Sequence, residues 1–149
     1  MANKHLDEQE MAAMRFVELM GGYERNLHRI ACDFEELRVQ MEGVGAIDYS
    51  DNGSHGSYQD NKPAIMDKQA ELIEELHASV SLRHSEYMMA LDLFLSNPCS
   101  EVVWLKWGRR MGWRAVAAEM GYSVRATMRR ERPGLRYIYA HMPKEHRQR

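Results

Sequence analysis

The sequence predicts an all-α protein: a long antiparallel helical hairpin, coiled-coil-like, followed by a small helix-turn-helix domain. Three observations predict it. Met20, Tyr23, Leu27, Ile30, Phe34, Leu37 and Met41 follow a 3, 4, 3, 4, 3, 4 spacing, the seam of a helix that pairs with another helix. Met66, Ile73, Val80, Tyr87 and Phe94 recur every seven residues in a second stretch. Between Trp113 and Arg132, a short apolar helix, a glycine turn and a basic second helix follow one another.

Taken in order, Asp7 and Glu10 have the spacing of a helix N-cap and its capping-box partner, opening a first helix through MAAMRFVELM. Gly21 and Gly22 predict a break or kink, since each costs roughly 1 kcal/mol relative to alanine inside a helix. The seam then carries a helix over 20–42. Residues 43–62 are rich in Gly, Ser, Asp and Asn and read as a flexible linker, with His55 solvated within it.

Pro63 is expected to open the second long helix, over 63–95, because the first-turn N–H has no helical partner to lose. Leu72, Leu76, Leu91 and Leu95 widen its stripe, and Ala70, His77, His84 and Leu91 form a second heptad row. His77 and His84 share a face, but seven residues rise about 10.5 Å, too far for one metal ion. They are read as interfacial or solvated. The linker lets the two helices pack antiparallel.

Asn97 and Pro98 are an N-cap and first-turn pair that start the next helix, and the domain boundary is placed here. Residues 1–96 form the acidic hairpin and 97–149 the basic domain. Val102, Val103, Trp104, Leu105 and Trp107 make a short apolar helix ending around Gly108 to Gly112. The three tryptophans close a small core rather than stack on bases. In WRAVAAEM, Trp113, Val116, Ala117 and Met120 keep helical spacing. Gly121 supplies the left-handed turn, Ser123 the next N-cap, and VRATMRRER the second helix.

The formal charge of −2 conceals a division. From residue 100 onward there are 12 Lys and Arg against 4 Asp and Glu, a net of +8; residues 1–99 hold 8 against 18, a net of −10. A basic C-terminal third points to a polyanion such as nucleic acid. The alternative is that the two parts attract each other, within the chain or between subunits. Twelve methionines read as core and helix–helix contacts. Cys32 and Cys99, far apart and without zinc or disulfide spacing, read as two partly buried thiols. With no secretory-signal pattern and no membrane-length apolar run, a cytoplasmic setting without membrane contact is expected. There is no phosphate loop, no supported Cys–His pairing and no metal-spaced cluster, so neither an enzyme nor a cofactor is expected.

The order VVWLKW, RMGW, RAVAAEM, GYS, VRATMRRER, GLRYIYA is similar to region 4 of bacterial sigma factors. It more closely resembles small phage and prophage regulators sharing that fold, some of which carry an N-terminal helical hairpin with a polar linker. The resemblance implies a sequence-specific, double-stranded-DNA-binding transcriptional regulator acting on late phage transcription, with RNA polymerase as a candidate partner. Three positions depart from the pattern: Thr127 and Arg130 stand where core-facing apolar residues are usual, and Pro133-Gly134 interrupts a helix that usually continues. The second helix is therefore expected to stop near Glu131 or Arg132, with Leu135 starting a separate turn or helix.

With that helix in a major groove, Thr127 and Arg130 face the core, while Val124, Arg125, Met128, Arg129 and Arg132 face outward. Arg125 and Arg129, four apart, are candidates for base edges, because a guanidinium suits bidentate contact with guanine. Arg109, Arg110, Arg114 and Arg136 are candidates for phosphates, and Ser123 caps the helix or reaches the backbone. The N-terminal hairpin would form a homodimer or dock on a partner. A competing reading is a protein-interaction module or inhibitor whose acidic hairpin covers a basic partner, with no DNA site of its own.

Overall fold

A computed structural model describes residues 6–47 and 55–147, with side chains for 6–42 and 61–147. All regular structure among the described residues is helical: α1 Glu8–Ile47, α2 His55–Leu95, α3 Pro98–Val103 running into a π-helical turn Trp104–Gly108, α4 Trp113–Met120, α5 Val124–Arg129, α6 Glu131–His141 and α7 Lys144–Arg147. No described helix is long and apolar enough to cross a membrane.

The two long helices pack antiparallel, as expected, but Met66, Ile73 and Val80 of the expected α2 stripe stay exposed, and only its Tyr87 and Phe94 end is buried. By its contacts the chain forms two compact units, residues 1–24 with 85–149, and residues 25–84. In the smaller unit, Asn26 donates to the Ser79 hydroxyl at 3.4 Å and Arg29 pairs with Glu75. Ile30 and Ile65 are buried there, and Leu27, Phe34, Leu37, Met41 and Leu72 are half-buried.

The larger unit holds the main core. Phe16, Val17 and Met20 from α1 meet Phe94 from α2, Val102 and Val103 from α3, Trp104, and Leu135, Ile138 and Met142 at the α6 end; all are buried. Phe94 stacks on Trp104 at 4.9 Å between ring centres and meets Phe16 edge-on at 5.9 Å. Full burial of each such side chain contributes roughly 2–3 kcal/mol. Trp104 therefore has the expected core role, whereas Trp107 and Trp113 are half-buried and flank the Lys106 ammonium at 4.9 and 5.2 Å.

The domain boundary expected after residue 96 marks the end of α2 and a change of charge, and packing divides the chain elsewhere. The start of α1 and the end of α2 bury their apolar faces against α3 and α6, so they belong to the unit that carries the basic helices.

Expectations for individual elements and residues are corrected. α1 runs unbroken through Gly21-Gly22. Gly21 is there for proximity: a Cβ would lie 2.2 Å from the Gly108 carbonyl oxygen, so only glycine lets α1 approach the end of the π-helical turn. The 43–62 linker is largely helical backbone, since α1 extends to Ile47 and α2 begins at His55. Adding a residue to an existing helix gains a hydrogen bond without a new nucleation cost. Residues 48–54 and the His55 side chain lie outside the described residues. Pro63 sits inside α2 rather than opening it, and is exposed. Cys32 is exposed, its Sγ 3.4 Å from His28 Nε2, whereas Cys99 is half-buried. Methionine is likewise divided: Met20 and Met142 are core residues, while Met66, Met88, Met89 and Met128 are exposed.

Candidate nucleic-acid interface

The basic module is built from local signals that act where expected. Asn97 Oδ1 accepts from the Cys99 N–H at 2.8 Å and Pro98 follows it, starting α3. Gly121 closes α4 with φ 74°, a left-handed conformation that suits glycine. The Ser123 hydroxyl then accepts from the Ala126 N–H at 3.1 Å, capping α5. Two short helices are thus joined by a tight turn, with Val116 and Ala117 of α4 buried beneath it.

α5 is shorter than VRATMRRER. It ends at Arg129, and α6 starts at Glu131 with Pro133 in its first turn, where the missing N–H costs little. Leu135 accordingly lies inside α6 rather than at its start. Gly134 is held against α3, where a Cβ would fall 2.2 Å from the Cys99 carbonyl oxygen. The departures at Thr127 and Arg130 also have a physical basis. Thr127 is fully buried, and its hydroxyl donates to the Ser123 carbonyl at 2.8 Å, so the polar atom is satisfied. Arg130 lays its guanidinium over the Tyr122 ring at 4.0 Å and donates to the Ala126 carbonyl.

With Thr127 inward, Val124, Arg125, Met128 and Arg129 occupy the opposite face of α5. All four are exposed, as is Ser123. Val124 and Met128 leave 39% and 47% of their surface open, an apolar pair beside the two arginines. Arg125 and Arg129 make no ion pair or side-chain hydrogen bond with another described residue. The same holds for Arg110 and Arg114, which are also exposed. Arg110 sits just beyond the π-helical turn with φ 57°, a left-handed conformation uncommon for a residue with a Cβ.

The remaining three candidates are engaged within the chain. Arg132 donates from Nη2 and Nε to the two carboxylate oxygens of Glu10, at 2.9 and 3.1 Å. Arg136 approaches the same carboxylate at 3.3 Å. Glu10 is fully buried, and its backbone N–H and side chain complete the capping box with Asp7. The Arg132 hydrogen bonds hold the Glu10 carboxyl below its usual pKa, against the opposing effect of burial. Arg109 donates to Glu24 at 3.0 and 3.2 Å, and the Tyr87 hydroxyl donates to the same carboxylate at 2.6 Å. Burial and the neighbouring Glu24 carboxylate push the Tyr87 phenol well above its usual pKa.

Arg109, Arg132 and Arg136 thus tie α1 to the basic helices through Glu24 and Glu10, while their own side chains stay partly or largely exposed. The charge division signalled this attraction, and the capping box marked Glu10; neither identified the arginines that meet it. Among the described residues, no group of three His, Cys, Asp or Glu is placed to hold a metal ion. The chain matches no protein-family model, no curated protein and no solved structure.

Proposed function

We propose that the chain is a sequence-specific DNA-binding transcriptional regulator of phage type. In this reading α4 and α5 act as a helix-turn-helix, α5 enters the major groove, and the hairpin serves for dimerisation or for docking on a partner such as RNA polymerase. The observation that carries it is the α5 face. Two arginines four residues apart stand exposed on a capped helix, with no ionic partner among the described residues. Unpaired guanidinium groups at that spacing suit guanine edges. Arg110 and Arg114 supply phosphate contacts, and each phosphate neutralised adds roughly 0.9 to the salt slope of binding. Ser123 remains primarily a cap.

The test is titration of a random-sequence duplex at low salt with the full chain and with Arg125→Ala/Arg129→Ala. The wild type is expected to bind, and the double variant to lose at least about tenfold, the effect of roughly 1.4 kcal/mol. Equal binding by both would remove α5 from the interface.

A second reading is favoured by a different observation. Val124 and Met128 place apolar surface beside those arginines, and three other arginines already pair with two carboxylates of α1. Such a face also suits an acidic, partly apolar protein surface. In that case Met128→Ala weakens partner binding while duplex DNA binds neither protein.

A further inference from the structure

We propose that residues 25–84 pair with a second copy of the same hairpin through a heptad face of α2 made by Met66, Ala70, Ile73, His77 and Val80, with the two α2 helices parallel. The inference rests on the pairing role given to the hairpin above, and not on DNA binding.

α2 carries two faces in this unit. One is turned to α1, where Ile65 is buried, Leu72 and Ser79 are half-buried, and Ser79 meets Asn26. The second lies roughly 100° around the helix. Its residues follow a 4, 3, 4, 3 spacing, and Met66, Ile73 and Val80 leave 54%, 44% and 38% of their surface open. That spacing belongs to a helix seam, yet α1 does not cover it. The apolar side chains that α1 contributes to the hairpin, Leu27, Phe34, Leu37 and Met41, also stay half-exposed. Two helices alone leave this core open, whereas a second hairpin would close it as a four-helix bundle, in which each helix packs against two neighbours.

Charge indicates what the second hairpin is. Lys62 and Gln69 flank the seam on one side, and Asp67 and Glu74 flank it on the other. Lys62, Asp67 and Glu74 are exposed and have no ionic partner among the described residues. In a parallel pair, each flanking residue meets the one five positions later on its partner. Lys62 of each copy then meets Asp67 of the other, and Gln69 meets Glu74. An antiparallel pair sets Asp67 and Glu74 against the same carboxylates of the second copy, which is repulsive. His77, the polar residue within the seam, would face its own equivalent and favour an in-register pairing. The same helix thus supplies both the apolar seam and its complementary charges, which identifies a second copy of this chain as the occupant.

Sedimentation of the full chain tests the pairing, and single cysteines introduced in a Cys32→Ser/Cys99→Ser background test its direction. A species of twice the 17.4 kDa chain mass is expected at micromolar concentration. Ile73→Asp/Val80→Asp should sediment as a monomer with helical circular dichroism retained. Under mild oxidation, Met66→Cys alone and Val80→Cys alone should each form a disulfide-linked dimer, while Leu82→Cys, on the opposite face, should not. A wild-type monomer would overturn the pairing. Cross-linking only when the Met66→Cys and Val80→Cys chains are mixed would overturn the parallel arrangement. None of these outcomes involves DNA, so failure here is distinguishable from failure of α5 to bind it.

Discussion

Glu10 links the acidic and basic parts of the chain through one buried carboxylate. It accepts from the Asp7 backbone and from the Arg132 guanidinium, with Arg136 beside it, so its lone pairs are well used. Glu10→Gln keeps the shape but removes the charge that two arginines share. Hydrogen bonds between charged groups contribute more than neutral ones, so a loss of about 2 kcal/mol is expected, read as a fall of a few degrees in Tm. The pH dependence has a defined sign. A carboxyl whose folded pKa lies below its unfolded value stabilises the protein above the unfolded pKa, and that contribution is lost as pH falls through the folded one. From about pH 5 downward, the wild type should therefore lose Tm faster than Glu10→Gln, and the two curves should converge. Parallel curves would mean that Glu10 is not the titrating group.

Among the elements, the close approach of α1 to the π-helical turn depends on Gly21. Gly21→Ala places a methyl group into the Gly108 backbone, and overpacking of this kind costs about 1–3 kcal/mol by thermal unfolding. Gly112→Ala has open space and an ordinary φ of −72°, so it should change Tm little. Arg110 offers a contrasting test. Its left-handed backbone costs roughly 1 kcal/mol, which glycine avoids. Arg110→Gly should thus raise Tm while lowering DNA affinity, if that arginine reaches a phosphate. A gain in Tm without loss of binding would leave Arg110 outside the interface.

These elements also mark how far the sequence could be read. Asp7–Glu10, Asn97-Pro98, Gly121 and Ser123 were legible because each acts within a few residues, through a cap or a turn. Periodicity made α1 and α2 legible as helices, and the inward position of Thr127 as well, but not which face of α2 meets α1, since Met66, Ile73 and Val80 stay exposed. The pairing of Glu10 with Arg132 was not, because the residues stand 122 positions apart and meet only once α1 packs against α6. Arg109 and Glu24, 85 positions apart, escaped for the same reason. Gly21-Gly22 was misread because helix propensity describes a glycine's cost and says nothing of a neighbouring backbone that requires it.

At the scale of the whole molecule, the charge division does two jobs. Part of the C-terminal positive charge is spent inside the larger unit, on Glu10 and Glu24, and part remains exposed on α5 and before it. Because Phe16, Met20 and Phe94 complete the same core as α3 and α6, a fragment of residues 97–149 lacks a wall of its core. It should show weak helical circular dichroism and no cooperative melt, whereas the full chain melts cooperatively. A well-folded fragment would contradict this division.

The most direct test of the central claim, that the open face of α5 meets DNA, is duplex binding by the full chain across a salt series. Wild type, Arg125→Ala/Arg129→Ala and Arg136→Ala would be compared. The prediction is wild-type binding that weakens steeply with salt, a loss of at least about tenfold in the double variant, and near-wild-type affinity for Arg136→Ala, whose guanidinium is engaged with Glu10. Absence of wild-type binding at low salt, or a double variant that binds as well as wild type, would contradict it.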